Sequence, residues 1–295
     1  MDINYELYKV FYYVADTLSF SEASKQLFIS QSAVSQSIKA LEKKLDQVLF
    51  IRSTKKVQLT PEGEILLRHI EPAINLIKRG ESQIMETAST GGQIRIGASD
   101  TICRYFLVPY LSRFHKEYPN IHIKVTNQTS IGCVDLLENG SVDLIFTNYP
   151  NSRLGNGKQV QHIKDFQDCF IASRKYYGEL EHQPLSFKEL LNYPILMLDR
   201  NSTTSEFLHS LFQQHQLDLV PEIELSSNDL LLDLADIGLA IAFVPDFCLA
   251  RAGGDLFQIP LKATLPTRQL ALAYSDKMPI SNAAKQFIQY FSQNS

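Results

Sequence analysis

The chain has 295 residues, 44% of them hydrophobic and 20% charged, and a net charge of −4. At roughly 150 residues per domain, that length suggests about two domains with real cores. The start, Met1-Asp2-Ile3-Asn4-Tyr5-Glu6, has no basic segment ahead of an apolar run. No stretch reaches the ~18 uninterrupted apolar residues of a membrane helix, so secretion and membrane insertion are disfavoured. Cys103, Cys133, Cys169 and Cys248 lie too far apart for a CxxC metal knuckle and offer no disulfide framework, as suits a reducing cytoplasm.

Tyr5 to Asp16 reads as a helix with Leu7, Val10, Phe11 and Val14 on one face. Ser19-Phe20-Ser21-Glu22 caps a short second helix that Ala23 and Leu27 anchor. Ser30 caps a third, Gln31 to Leu45, whose Val34, Ile38, Leu41 and Leu45 form an apolar stripe. Its opposite face presents Gln31, Ser32, Ser35, Gln36 and Lys39, small or amide side chains able to bond to base edges and a lysine for phosphate. Two helices across a short turn, the second polar at its N-terminal end, describe a helix-turn-helix. Leu49-Phe50-Ile51-Arg52, Ser53-Thr54-Lys55-Lys56 and Val57-Gln58-Leu59-Thr60 then read as a hairpin with a basic tip, a wing suited to grip phosphates. Across residues 25–56, Lys25, Lys39, Lys43, Lys44, Arg52, Lys55 and Lys56 outweigh Glu42 and Asp46, a basic footprint on a chain that is acidic overall. From charge alone, a solvated helix face is an equally good reading.

Five ordered blocks carry a family resemblance. Phe20-Ser21-Glu22-Ala23-Ser24-Lys25-Gln26-Leu27, Ser30-Gln31-Ser32-Ala33-Val34-Ser35, Ile38-Lys39-Ala40-Leu41-Glu42, Leu49-Phe50-Ile51-Arg52 and Val57-Gln58-Leu59-Thr60-Pro61-Glu62-Gly63 resemble the winged helix of LysR-type transcriptional regulators. Ser24 stands where the family usually has alanine, and Asp46 where it has glycine; aspartate tolerates the left-handed backbone better than most residues. The resemblance implies sequence-specific binding to double-stranded promoter DNA. The candidate contacts are Ser21, Gln31, Ser32, Ser35, Gln36, Lys39, Arg52, Ser53, Lys55 and Lys56.

The next segment resembles the family's linker helix. Thr60-Pro61-Glu62-Gly63-Glu64 supplies a cap, a first-position proline and acids for the first turn. Leu66, Ile70, Ala73, Ile77, Gly80 and Ile84 recur at alternating gaps of four and three, the heptad seam of a helix that pairs with another. A core face against its own domain is the alternative. Pro72 interrupts the row, and because an interior proline kinks or breaks a helix, a bend is expected near Glu71. Thr87-Ala88-Ser89-Thr90-Gly91-Gly92 reads as a hinge.

From Gln93 the pattern becomes repeated βαβ. Strands are expected at Gln93–Ala98, His122–Asn127, Val142–Thr147, Phe170–Ala172, Ile195–Leu198, Glu222–Leu225, Ala240–Val244 and Gln269–Tyr274, with helices between them, hence a mainly parallel sheet. A final helix puts Ala284, Phe287, Ile288 and Phe291 on one face. The order resembles the two-lobed effector-binding module of LysR-type regulators, which is similar to periplasmic solute-binding proteins, with crossings near Lys164–Gln167 and Lys262–Arg268. The expected fold is thus α/β overall: an all-α winged helix-turn-helix (1–60), a linker helix (61–90), and a periplasmic-binding-protein-like domain (91–295). Lobe I of that domain takes 91–164 and 267–295, and lobe II takes 165–266.

Parallel sheets bind ligands at the carboxyl ends of their strands. Ser99-Asp100-Thr101-Ile102, Thr129-Ser130, Asn148, Asn201-Ser202-Thr203 and Asn228 should therefore meet across the cleft, where hydroxyls and helix N-termini suit a small anion. Taken singly, each reads more readily as a helix cap; the set together is what suggests a site. Asp100 departs from the family's usual neutral residue and leaves room for a neutral or amine-bearing ligand. Cys103 sits beside that loop at a helix start, where a thiolate is stabilised, so a redox switch stands beside a buried apolar role.

The sequence argues against two other classes. An enzyme lacks support: there is no Gly-x-Ser-x-Gly elbow, P-loop or HExxH, and His115, His122, His162, His209 and His215 are scattered. A solute-binding transport component is opposed by the winged helix and the missing signal peptide. The expectation is a cytoplasmic, non-enzymatic regulator with no cofactor and no membrane association, controlled by a small-molecule co-inducer. By resemblance it forms a homodimer, extended to a homotetramer as a dimer of dimers, and works with RNA polymerase.

Overall fold

A computed structural model of the chain describes residues 3–53, 56–86, 91–251 and 255–294. They fall into two compact units, Met1–Ala88 with Glu138–Ser141, and Ser89–Leu137 with Val142–Ser295.

In the first unit, helices α1 (Tyr5–Thr17), α2 (Phe20–Leu27) and α3 (Gln31–Leu45) enclose Phe11, Val14, Ala23, Val34, Ile38 and Leu41. Each begins on a side-chain cap. Asn4 Oδ1 accepts the Glu6 N–H, Ser19 Oγ that of Glu22, and Ser30 Oγ that of Ala33. Asp46 ends α3 in the left-handed conformation, φ 52°, with its N–H on the Glu42 carbonyl. Strands β1 (Phe50–Arg52) and β2 (Val57–Leu59) pair antiparallel as the expected hairpin; at its tip Thr54 and Lys55 lie outside the described residues.

Helix α4 (Pro61–Glu86) follows. Thr60 ties its start to the wing: Oγ1 donates to the Val48 carbonyl at 2.7 Å and accepts the Gly63 N–H at 3.0 Å. Pro72 does not end the helix. The turns on both sides of it are held, by Leu66, Leu67 and Ile70 against the unit's core and by the Lys78 ammonium, 4.9 and 5.0 Å from the rings of Tyr12 and Tyr13. The same packing divides the heptad row: Leu66 and Ile70 cover their own unit's core, while Ala73, Ile77 and Ile84 stay exposed.

The remaining elements are β3 (Gln93–Ala98), α5 (Asp100–Ile102) running through a π-helical turn (Cys103–Leu107) into α6 (Val108–Glu117), β4 (His122–Asn127), α7 (Ser130–Glu138), β5 (Leu144–Tyr149), β6 (Lys158–Phe166) and β7 (Asp168–Ser173). Then come α8 (Arg174–Tyr177), α9 (Phe187–Leu190), β8 (Ile195–Leu198), α10 (Thr203–Gln214), β9 (Ile223–Leu225), α11 (Asn228–Asp236), β10 (Ile241–Pro245), β11 (Leu256–Gln258), β12 (Arg268–Ser275) and α12 (Asn282–Asn294). One sheet has the order β4-β3-β5-β12-β6 and the other β11-β7-β10-β8-β9. Ile94, Ile96, Phe146, Phe287 and Phe291 fill the core of the first, and Phe170, Met197, Phe212 and Phe243 that of the second.

The expectation of a mainly parallel sheet needs correcting. Strand β3 pairs parallel with β4 and β5, and β8 with β9 and β10, but β12 runs antiparallel to β5 and β6, and β7 to β10 and β11. Each sheet is therefore half antiparallel. Strand β6 escapes the hydrophobic pattern because it lies at a sheet edge and buries Phe166 alone of its nine residues. The chain passes from one sheet to the other at Gln167 and returns between Gln258 and Arg268.

Two turns in the first unit yield opposite expectations. A Cβ at Gly63 would stand 2.3 Å from the Leu49 carbonyl oxygen, backbone that cannot move aside, so Gly63→Ala should destabilise the N-terminal unit by about 1–3 kcal/mol. Asp46→Gly removes the strain of a side chain at φ 52° and should stabilise the unit by up to about 1 kcal/mol. Thermal unfolding of the two variants checks both signs.

Candidate functional site

Two surfaces gather the candidate residues. On α3, Gln31, Ser32, Gln36 and Lys39 are exposed and Ser35 half-buried, opposite the buried Val34, Ile38 and Leu41. Ser32 Oγ lies 2.9 Å from the capping Ser30 Oγ, which orients the first turn. Ser21 is exposed on α2, and its carbonyl accepts the Ser24 hydroxyl at 2.8 Å, so serine fits where the family has alanine. Arg52 is less free than expected. Its guanidinium sits 4.3 Å from the Phe20 ring centroid and 3.9 Å from Glu42 Oε2, while Glu42 Oε1 accepts the Leu49 N–H. Ser53 closes the wing, its Oγ donating to the Lys56 carbonyl and accepting the Lys56 N–H, and Lys56 is exposed. Lys55 lies outside the described residues. The sequence reading missed Phe28, which is 94% exposed at φ 55° in the turn between α2 and α3.

In the second unit, a cavity of about 380 Å³ opens at the carboxyl ends of strands from both sheets. One lobe lines it with Ser99, Asp100, Thr101, Ile102, Asn127, Gln128, Thr129, Ser130 and Asn148. The other contributes Leu198, Asp199, Ser202, Thr203, Thr204, Ser226, Ser227, Asn228, Pro245 and Phe247. Of the candidates, Asn201 alone is set apart: it is exposed, and its N–H donates to Asp199 Oδ1 at 3.0 Å. The polar run that suggested it serves a turn ahead of α10. Asp199 was missed although it directly follows β8, the position where the strand-end rule puts ligand contacts.

Hydrogen bonds join the two lobes across this cavity. Asn228 Nδ2 donates to Thr101 Oγ1 at 2.9 Å, and Asn148 Nδ2 to Thr203 Oγ1 at 3.4 Å. At one lip Asp229 accepts from Arg104 at 3.0 Å and from the Tyr105 hydroxyl at 2.5 Å; at the other, Ser152 donates to Glu206 at 3.1 Å. Burial, and then the bond to Asp229, push the Tyr105 hydroxyl's pKa up, so it stays a donor.

Residues 5–64 match the model of the bacterial regulatory helix-turn-helix protein, lysR family, and residues 87–295 that of the LysR substrate binding domain. The chain belongs to the LysR family. This LysR-type transcriptional regulator is 26% identical over 286 residues to the HTH-type transcriptional activator CmpR of Synechocystis sp., spanning 96% of this chain and 93% of that one. Its fold resembles full-length CbnR complexed with its target DNA, with a TM-score of 0.70, 18% identity, and coverage of 99% and 100%. It also resembles the Synechocystis CcmR regulatory domain in complex with 2-PG, with a TM-score of 0.63, 20% identity, and coverage of 69% of this chain and 97% of that one. At these identities the structural likeness is one of fold.

Among the regulator's described residues, no cluster of His, Cys, Asp or Glu could hold a metal ion, and no helix is long and apolar enough to cross a membrane. Burial, reinforced by Asp100, pushes the Cys103 thiol up to about 11, the reverse of what an activated thiolate needs. All four cysteines are unpaired, and Cys133, Cys169 and Cys248 are buried.

Behind the cavity wall, both passages between lobes end at one ion pair. Asp168 opens β7 just after the first passage and Arg268 opens β12 at the end of the second, and each is 1% exposed. Arg268 Nη1 donates to Asp168 Oδ2 at 2.7 Å and to Thr204 Oγ1 at 3.1 Å, and Nη2 donates to Thr203 Oγ1 at 3.1 Å. The rings of Phe166 and Phe207 cover it at 5.3 and 5.0 Å. Removing one buried partner strands the other charge, so Arg268→Met should cost about 3–5 kcal/mol; Arg268→Met with Asp168→Leu removes both charges and should recover much of that loss. Denaturant unfolding of wild type, single and double variants measures both steps.

Proposed function

We propose that the regulator reads promoter DNA through α3 and the wing, acts as a homo-oligomer built on α4, and answers to a small metabolite held between the lobes of its second unit. The observation that carries this reading is the pairing, in one chain, of an exposed amide-and-hydroxyl face on α3 with a two-lobed polar cavity. The division 1–60, 61–90 and 91–295 assigns those roles in order. The relatives are transcriptional regulators, which supports a non-enzymatic, cytoplasmic protein. Contact with RNA polymerase rests on the family resemblance.

Gln31, Ser32, Ser35 and Gln36 are assigned to bases, while Ser21, Lys39, Arg52, Ser53, Lys55 and Lys56 hold phosphates. For assembly, the support is the exposed Ala73, Ile77 and Ile84 on α4; the first two turns of the row are engaged with their own core. A two-fold pair of such helices demands a roughly palindromic site with half-sites separated by about one helical turn or a multiple of it. The tetramer rests on the resemblance.

Two measurements test these assignments. Gln36→Ala should cost about 1–3 kcal/mol on the cognate operator and relax preference at one base pair, whereas Lys39→Ala should weaken all sequences alike and lower the salt slope by about 1. Equal losses on cognate and random DNA in both variants would remove the division of roles. Ile77→Asp places a charge in the pairing surface and should abolish tight operator binding while circular dichroism of the chain is preserved; a monomer by light scattering that binds with full affinity would contradict it.

A further inference from the structure

We propose that the effector carries a protonated amine together with a carboxylate, that is, an amino acid or a close derivative, rather than a simple organic acid or a phosphate; this rests on the reading that the cleft is the effector site. Three features of the cavity converge on that class.

The first is charge. Asp100 and Asp199 are the charged residues that line the cavity, and both are acidic. Arg268 stands behind Thr203 and Thr204 and is already paired with Asp168 at 2.7 Å. Arg104 and Arg200 are outside the lining; Arg104 pairs with Asp229 at 3.0 Å, and Arg200 is exposed beside Glu224. A phosphate or dicarboxylate would enter facing two carboxylates with no cation of its own to meet, whereas an ammonium group would find both.

The second is a shortage of donors. Asn148 and Asn228 line the cavity from opposite lobes and are 8% and 6% exposed, yet the Oδ1 of each has no hydrogen-bond partner. Buried amide oxygens left so cost free energy that a ligand N–H would recover. An ammonium group brings three donors, the kind of group that these oxygens and the two carboxylates call for.

The third is a surplus of hydroxyl protons. Thr101 Oγ1 accepts from Asn228, Thr203 Oγ1 from Asn148 and Arg268, and Ser99 Oγ from the Ile102 N–H, so each hydroxyl's own proton is left to donate. Donors of this kind suit a carboxylate. Acceptors and acids on one set of side chains, donors on another, describe the two ends of a zwitterion.

The test follows thermal unfolding of the full chain with the proteinogenic L-amino acids, the 2-hydroxy acids and amines that match them in side chain, and inorganic phosphate. An amino acid should raise the midpoint, with its hydroxy-acid and amine counterparts weaker by about tenfold or more in calorimetry. Asp100→Asn, at an exposed position that should fold normally, should reduce amino-acid affinity by about fivefold or more, and Thr203→Val should do likewise from the carboxylate end. A hydroxy acid or phosphate that binds as well as any amino acid, and loses affinity in Thr203→Val, overturns the class while keeping the cleft. A ligand whose affinity is unchanged in Asp100→Asn, Asp199→Asn and Thr203→Val sits elsewhere and overturns the cleft reading itself. Silence across all the amino acids overturns the proposal as well.

Discussion

The ion pair between Asp168 and Arg268 is the constraint on which the ligand cavity depends. The residues lie a hundred positions apart, and each begins a strand directly after a passage between lobes. Desolvating two charges is expensive, and the geometry offsets it with a short charge-assisted bond, two threonine hydroxyls and two aromatic faces. The consequence reaches the cavity because those hydroxyls belong to Thr203 and Thr204. Arg268 fixes their lone pairs inward and so leaves their protons available to a ligand. A residue that never lines the cavity thereby sets the hydrogen-bonding polarity of its wall.

How much of this was legible in the sequence follows from the range of the signals. Helices α1 to α3 and strands β3, β4 and β8 were readable because their apolar periods and caps are local; Val34, Ile38 and Leu41 recur on one face and Ser30 announces its helix. The strand-end rule likewise brought Ser99, Thr129, Asn148 and Thr203 together from separate stretches of chain. What failed was nonlocal. Strand β6 is an edge with little to bury, and the antiparallel return of β12 depends on a partner more than a hundred residues earlier. Arg268 was invisible for a related reason: a charge at the start of a strand reads as surface unless the carboxylate that meets it is already known. The heptad row is ambiguous for a different reason, since one period serves equally for packing on one's own core, as Leu66 and Ile70 do, and for packing on a partner.

Regulation through such a cleft requires that its two arrangements differ little in free energy. A ligand with equal affinity for both shifts nothing, and one facing a strongly biased equilibrium must supply the whole difference. Apart from the buried Asp168–Arg268 pair at the passages, the contacts that join the lobes across the cavity are of the modest kind. The Arg104–Asp229 pair is solvated at the lip, where exposed ion pairs contribute about 0–1 kcal/mol, and the Ser152–Glu206 bond lies in water as well. Inside, Asn148 and Asn228 each spend one amide donor across the cleft and leave the carbonyl oxygen without a donor. Across the cavity the lobes are thus joined by weak bonds at the rim, and the centre is left unsatisfied. A ligand that supplies the missing donors stabilises closure more than it could stabilise separated lobes, whose amide oxygens would be open to water. That difference in affinity between the two arrangements is the quantity a regulator needs if occupancy is to change what the rest of the molecule does, and by linkage the same free energy must return as a change in effector affinity when DNA is bound.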